Sequence, residues 1–117
     1  MNKIARVGIA SVQEQRTRAL EIASGVRACT IDEPNVWFPS VSAMARVMSD
    51  ENIALLKVIR EQHPDSMDAL AKSVGKQSAN VSRSLRKLAV FGLVKLVRNG
   101  RTVTPEVTME RVIVDLA

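Results

Sequence analysis

The stretch from Ser66 to Arg101 constrains the fold more than any other part of the chain, because it combines helix and turn patterns with most of the positive charge. It contains eight Lys or Arg residues and one acid, Asp68, for a net charge of +7. The whole chain carries +5, so the remaining residues sum to −2. Charge concentrated in this way is the electrostatic footprint of a polyanionic partner.

The spacing of small and apolar residues in this stretch predicts two crossing helices. A steep crossing requires a small residue at the contact, a residue that tolerates positive φ in the turn, and an apolar anchor on the second helix. Ala71, Gly75 and Val81 meet these three requirements in order. Leu85 and Leu88 continue the apolar stripe from Val81 at helical spacing. We therefore expect a helix-turn-helix.

A hairpin is expected directly after the second helix. The sequence FGLV at 91–94 ends the helix and begins a strand. Strands are expected over Leu93–Val97 and Thr102–Val107, and Asn99-Gly100 between them favours the left-handed dihedrals of a tight turn. The order of helix, turn, helix and hairpin predicts a winged helix-turn-helix.

The apolar stripe also predicts which face of the second helix points outward. At 100° per residue, Arg83 and Arg86 lie opposite the stripe and Asn80 lies on a flank. Arginine can hydrogen-bond guanine and asparagine adenine in a major groove, while Ser and Lys suit phosphates. A solvated basic face is the ordinary alternative, but the hairpin and the scarcity of acids favour DNA binding. The candidate DNA-binding residues are Lys76, Gln77, Ser78, Asn80, Ser82, Arg83, Arg86, Lys87, Arg98 and Arg101, the last two beside the hairpin tip.

With ANVSRSLRKLAVFGLV at its centre, the stretch from Ser66 to Val97 resembles the MarR-like winged-helix regulators of bacteria and archaea. Upstream, WFPS followed by ENIALLKVI is similar to small predicted transcriptional regulators, some of which are thought to act as antitoxins. The resemblance covers about the last two thirds of the chain well and the first third loosely. It implies a recognition helix from Ser78 to Val90 and a wing around Asn99-Gly100. Long flanking helices for dimerisation and ligand capture, as in larger MarR relatives, are missing.

Composition limits the other classes of function. At 117 residues, 46% apolar and 25% charged, the chain suits one globular domain. Its three aromatic residues are too few for stacking on single-stranded bases. Cys29 is single, so we expect no intrachain disulfide and no Cys-based zinc site. The sequence contains no paired-carboxylate pocket, metal-ligand spacing, phosphate-binding Gly loop or nucleophile–base set, so we expect no cofactor, metal site or enzyme activity. The N-terminus lacks the apolar core of a signal peptide and no run could span a bilayer, so we expect a soluble cytoplasmic protein with no membrane partner.

The expected fold class is α+β, mainly α. Residues 1–39 are expected to form an N-terminal strand-helix extension and linker, and residues 40–117 the winged helix-turn-helix with a C-terminal strand. In the extension, a strand over Ile4–Ile9 precedes a helix to about Ser24, which begins with a capping box at Ser11 and Glu14. One side of this helix carries the apolar residues Val12, Ala19, Leu20, Ala23 and Val26.

The remaining segments yield three further predictions. Trp37 is expected as a core anchor of the extension, the alternative being a hot spot for a partner. Ser40 and Ser49 are expected to cap helices running to Met48 and Glu61, the first with Val41, Met44, Ala45 and Met48 as its apolar stripe. A last strand over Arg111–Leu116 should pair either with Ile4–Ile9 or with a partner subunit.

The leading hypothesis for function is a sequence-specific DNA-binding transcriptional regulator, a repressor acting as a homodimer on double-stranded DNA. The second is an antitoxin-type interaction module that neutralises a toxin through residues 1–39. The resemblance implies that the two functions can coexist, since antitoxins often repress their own operon. Non-specific or RNA binding is a third hypothesis, which cognate and scrambled duplexes compared at one salt concentration would separate.

Overall fold

Residues 4–27 and 34–115 are described by the computed structural model, and they form a small α+β fold that is about half helical. Residues 28–33 of the expected linker, which include Cys29, and Leu116 lie outside them. The elements in chain order are β1 (Ile4–Ile9), α1 (Val12–Ala23), β2 (Val36–Phe38), α2 (Val41–Val47), α3 (Asp50–Gln62), α4 (Met67–Val74), α5 (Ser78–Val90), β3 (Val94–Asn99), β4 (Thr102–Val107) and β5 (Arg111–Asp115).

Serine side chains define the start of four of these helices. Ser11 and Glu14 form the expected capping box at α1, and Ser40 and Ser49 cap α2 and α3 as expected. Ser66 caps α4 in the same way, by accepting a hydrogen bond from the amide three residues on. Among the described residues, no helix is both long and apolar enough to cross a membrane.

The pair α4 and α5 crosses as the spacing predicts. Ala71 and Val81 are buried at the contact, with 2% and 1% of their surfaces exposed. Gly75 ends α4 with φ 69°, and its N–H bonds to the carbonyl oxygens of Ala71 and Lys72. Helix α5 has the bounds predicted for the second helix, and Leu85 and Leu88 continue its buried face.

A three-stranded parallel sheet joins the two ends of the chain in the order β2-β1-β5. The expected pairing of the last strand with Ile4–Ile9 is therefore confirmed. On the inner face of the sheet, Ala5, Val7 and Phe38 are buried. The Phe38 ring stacks on Phe91 after α5, with 4.3 Å between centroids. This contact places the sheet against the helical part of the fold.

Phe38, and not Trp37, is the buried anchor of the N-terminal segment. Neighbouring residues of a strand point to opposite faces, so Trp37 lies on the outer face of the sheet and is only partly buried. There it crosses β1 at Gly8, and the Arg18 guanidinium lies over its ring at 5.1 Å. The Trp37 prediction was wrong because the partner strand, not the sequence of β2 itself, decides which face is the core.

Two apolar stripes are more exposed than helical spacing suggests. Helix α1 buries none of its residues, and Val12 and Leu20 are 61% and 65% exposed. In α2, which ends at Val47, the buried residue is Val47, while Val41 is 54% exposed. The core therefore contacts α2 through Val47 together with Met44 and Met48 of the expected stripe, which are partly buried, and α1 lies outside the core.

Candidate nucleic-acid interface

The position of α5 is set by its apolar face. Val81, Leu85 and Leu88 have at most 1% of their surfaces exposed, and the helix contacts α2, α3 and α4. Burying three aliphatic side chains of this size contributes about 1.5–3 kcal/mol each. The opposite face of α5 is consequently fixed in direction while remaining open to solvent.

The exposed face of α5 presents the expected polar and basic residues. Asn80, Arg83, Arg86 and Lys87 are exposed, and Ser82 is partly buried. Arg83 donates a hydrogen bond from Nη2 to Asn80 Oδ1 at 3.2 Å. These two side chains, which are suited to guanine and adenine respectively, therefore lie together on one turn of the helix.

A polar cleft of about 390 Å³ runs between α5 and the α2–α3 pair. Four candidate residues line it: Lys76, Asn80, Arg83 and Lys87. Arg46 of α2 lines the same cleft, and the sequence analysis missed it. Arg46 is 20 residues outside the basic stretch, so only the packing of α2 against α5 reveals that it belongs to this surface.

Acidic residues moderate the charge at the edge of this surface. Lys76 Nζ forms an ion pair with Glu51 Oε2 at 3.0 Å, and both side chains are well exposed. An exposed pair of this kind is worth at most about 1 kcal/mol, so Lys76 can exchange Glu51 for a stronger anion. Ser78 donates its hydroxyl proton to Asp68 Oδ1 at 2.6 Å. Ser78 therefore links α4 to α5, a structural role that the sequence analysis did not predict.

The N-terminus of α5 lacks a side-chain cap. Gln77 occupies the cap position and its side chain makes no capping hydrogen bond, although it is exposed. The first backbone amides of a helix are hydrogen-bond donors at the positive end of its dipole, which suits phosphate oxygens.

Strands β3 and β4 form the expected antiparallel hairpin, but its tip differs by one residue from the prediction. Asn99 pairs with Thr102, so the turn residues are Gly100 and Arg101, with Gly100 at φ 64°. The prediction of Asn99-Gly100 as the turn residues was wrong. A turn centred on Asn99-Gly100 and one centred on Gly100-Arg101 both put glycine at a position of positive φ, and the strand register decides between the two turns. Arg98 and Arg101 are exposed beside the tip.

A chain of hydrogen bonds fixes the hairpin to the turn before α4. Asn99 Nδ2 donates to Thr104 Oγ1 at 2.9 Å. Thr104 Oγ1 donates in turn to the carbonyl oxygen of Asp65 at 2.7 Å. The hairpin is therefore held against the rest of the fold and does not simply extend into solvent.

No group of three or more His, Cys, Asp or Glu side chains is arranged to hold a metal ion within 4–27 and 34–115. The donors that this site offers are amides, amines and guanidinium groups, which bind anions and base edges.

Comparison with known proteins identifies one matching family. The HVO_A0114 family model matches residues 47–114, which is more than half of the chain. A search of curated proteins found no match. The matched region runs from the end of α2 into β5 and includes every candidate DNA-binding residue.

Proposed function

The chain belongs to the HVO_A0114 family, and we propose that it is a sequence-specific DNA-binding transcriptional regulator. The observation that carries this proposal is the exposed face of α5, where Arg83 and Arg86 lie opposite a fully buried stripe and the exposed side chains of Asn80 and Lys87 flank them. A rigid helix with base-reading side chains on its free face matches what a major groove can accept.

In the proposed complex, α5 lies in the major groove and the residues around it bind the backbone. Arg83 and Asn80 would contact base edges, because they lie on the free face near the N-terminal half of the helix. Arg46, Lys76 and Lys87 line the adjacent cleft and would neutralise phosphates. The uncapped start of α5 would add backbone N–H donors for the phosphates of the same DNA strand.

The hairpin has the role of a wing in this proposal. Arg98 and Arg101 flank its tip, where they would contact phosphates or an adjacent minor groove. Helices α3 to α5 with this hairpin correspond to the order of a winged helix-turn-helix, and the resemblance of Ser66–Val97 to MarR-like regulators agrees with that interpretation.

The proposed mechanism is steric control of a promoter by a homodimer. One recognition helix reads only a few base pairs, whereas a two-fold dimer reads two half-sites of a palindrome. An occupied palindrome that overlaps a promoter excludes the polymerase, which is repression.

Selection of bound sites from a random duplex library tests the proposal directly. We expect an enriched motif with two-fold symmetry, bound more tightly than a scrambled duplex of the same composition at one salt concentration. Equal affinity for the selected and scrambled duplexes would contradict sequence-specific binding. Preference for single-stranded RNA of the same sequence would contradict the duplex interpretation.

A second candidate function, protein binding of the antitoxin type, is favoured by helix α1. This helix buries none of its residues, and Val12 and Leu20 within it, like Val26 shortly after its end, are more than half exposed. Exposed aliphatic groups that share one side of a helix suit a protein partner. Co-expression with a toxin encoded by an adjacent gene tests this. The wild type should relieve the growth arrest that the toxin causes, and the Leu20→Asp variant should not. Relief by the Leu20→Asp variant would exclude α1 as the binding surface.

A further inference from the structure

Strand β5 is the edge of the three-stranded sheet and has an open side. Among the described residues its one strand neighbour is β1. Its side chains are exposed except for Ile113, which is partly buried. An open strand edge offers a row of backbone N–H and C=O groups to another strand, and proteins usually block such edges or pair them.

The sequence of β5 is complementary to itself when two copies run antiparallel. It reads Arg111-Val112-Ile113-Val114-Asp115. With a two-fold axis at Ile113, Arg111 lies opposite Asp115 of the second copy and Val112 lies opposite Val114. Each end of the strand then carries a pair of opposite charges, and the centre is entirely aliphatic. Directly opposed pairs of both kinds stabilise antiparallel strands.

This register is distinguished from its neighbours. A two-fold axis perpendicular to the sheet keeps each side chain on its own face of the sheet, so the allowed registers differ by a shift of two residues between the strands. Such a shift moves the axis by one residue. Moving the axis to Val112 would place Arg111 opposite Ile113, and moving it to Val114 would place Asp115 opposite Ile113. Both alternatives set a charged side chain against an aliphatic one, and only the axis at Ile113 matches charge with charge.

The surface beside β5 is also apolar. Val112 and Val114 face the same side of the sheet as Ala5 and Val7, their partners in β1. On that side an open groove of about 440 Å³ lies between β5 and helices α2 and α3, lined by Met44, Met48, Ile53 and Leu56 among others. Ile53 is 47% exposed and Val114 45% exposed. Two short strands supply only part of the roughly 1,200–2,000 Å² that a stable interface buries, and this groove supplies further apolar area.

We propose that β5 is the homodimer interface of this protein, with a second copy of the chain pairing antiparallel across a two-fold axis at Ile113. The two sheets then form one six-stranded sheet in the order β2-β1-β5-β5-β1-β2. Two-fold pairing satisfies the open β5 edges of both subunits at once, so that this contact closes at two subunits.

The proposed interface leaves the basic surface free. Helix α3 separates the two, because Asn52 and Leu55 line the cleft beside α5 whereas Ile53 and Leu56 line the groove beside β5. The β5 surface would supply the homodimer of the proposed function, but the pairing depends only on β5 and the groove beside it and not on DNA binding. It is tested without DNA, so that either can fail without the other.

Charge reversal provides a test in which two defective variants repair each other. Arg111→Asp places two carboxylates opposite each other at both ends of the strand pair, and Asp115→Arg places two cations there. We expect each variant to dimerise at least about tenfold more weakly than the wild type in sedimentation equilibrium. An equimolar mixture restores both opposite-charge pairs in a heterodimer, and it should dimerise like the wild type. The swapped double variant, Arg111→Asp with Asp115→Arg, should form homodimers again.

Amide hydrogen exchange of the wild type tests the same surface without any substitution. Protection of the β5 amides that point to the open edge should rise with protein concentration over the range in which the dimer forms, while α5, outside the proposed dimer interface, should not change. A wild type that stays monomeric at about 100 μM would overturn the proposal. Charge-reversed variants that dimerise like the wild type would also overturn it, as would a mixture and a double variant that both stay monomeric. A dimer whose β5 amide exchange is independent of concentration would place the interface elsewhere and overturn it as well.

Discussion

Arg83 lies on the free face of α5 with its guanidinium hydrogen-bonded to Asn80, and it is the side chain that we expect to read a base. Arg83→Ala should cost about 1–3 kcal/mol of binding free energy to the selected site and relax the preference at one base position. Fluorescence anisotropy with a set of singly substituted duplexes measures both effects. The thermal melting temperature should match the wild type, because the side chain is exposed.

A matched control for Arg83 is Arg16→Ala, which removes an exposed arginine from α1. Arg16 lies in the N-terminal segment, outside the proposed DNA interface, so its loss should leave the base preference unchanged. If Arg83→Ala weakened every duplex equally and left the base preference intact, α5 would not be the reading helix.

Arg101 is at the hairpin turn and is expected to hold the DNA backbone, not to read it. Arg101→Ala should weaken binding to the selected and scrambled duplexes by similar factors, and it should lower the slope of log affinity against log salt by about one unit. Titrations at several salt concentrations provide the slope. A changed base preference with an unchanged slope would show that the hairpin reads sequence.

Arg46 is the residue of the candidate site that the sequence could not have revealed. Nothing in the pattern of α2 distinguishes it from an ordinary solvated arginine, and its place beside Lys76 and Lys87 depends on tertiary packing. Arg46→Ala should reduce the salt slope by about one unit without changing base preference. An unchanged slope would remove Arg46 from the proposed phosphate contacts.

Among whole elements, those with a strong local pattern could be predicted from the sequence. The existence of helix α5 and its buried face could be predicted because its apolar stripe and the glycine turn before it are local features, and its bounds are those that the family resemblance implied. The pairing of β5, the exposure of α1 and the burial of Phe38 in place of Trp37 could not be decided in this way. Each of them depends on which element packs against which face, and strand and helix periodicity leaves that choice open.

The outer face of the sheet depends on Gly8, because Trp37 crosses β1 at that position. A Cβ at residue 8 would lie 2.7 Å from both Pro34 Cγ and Trp37 Cζ3. Gly8→Ala should therefore lower the free energy of unfolding by about 1–3 kcal/mol, measured by urea denaturation. In a Trp37→Ala background the same change should cost less, because one of the two clashing groups is gone. Equal costs in both backgrounds would mean that Trp37 does not restrict residue 8.

For the molecule as a whole, the charge distribution is the property that most constrains function. The stretch from Ser66 to Arg101 carries +7 while the rest of the chain sums to −2, and its exposed cations surround α5 and the hairpin tip. The groove beside β5 lies on the other side of α3. DNA binding and self-association would therefore use separate surfaces of one small fold.

The salt dependence of duplex binding tests the central proposal most directly, because neutralising each phosphate adds about 0.9 to the slope of log affinity against log salt. Wild-type affinity for the selected duplex should be measured by anisotropy between 50 and 200 mM salt. A dimer that makes about 6–10 phosphate contacts should lose roughly 10³-fold or more in affinity across that range. An affinity that stays flat over the same range would contradict binding through the basic surface of α5 and the hairpin.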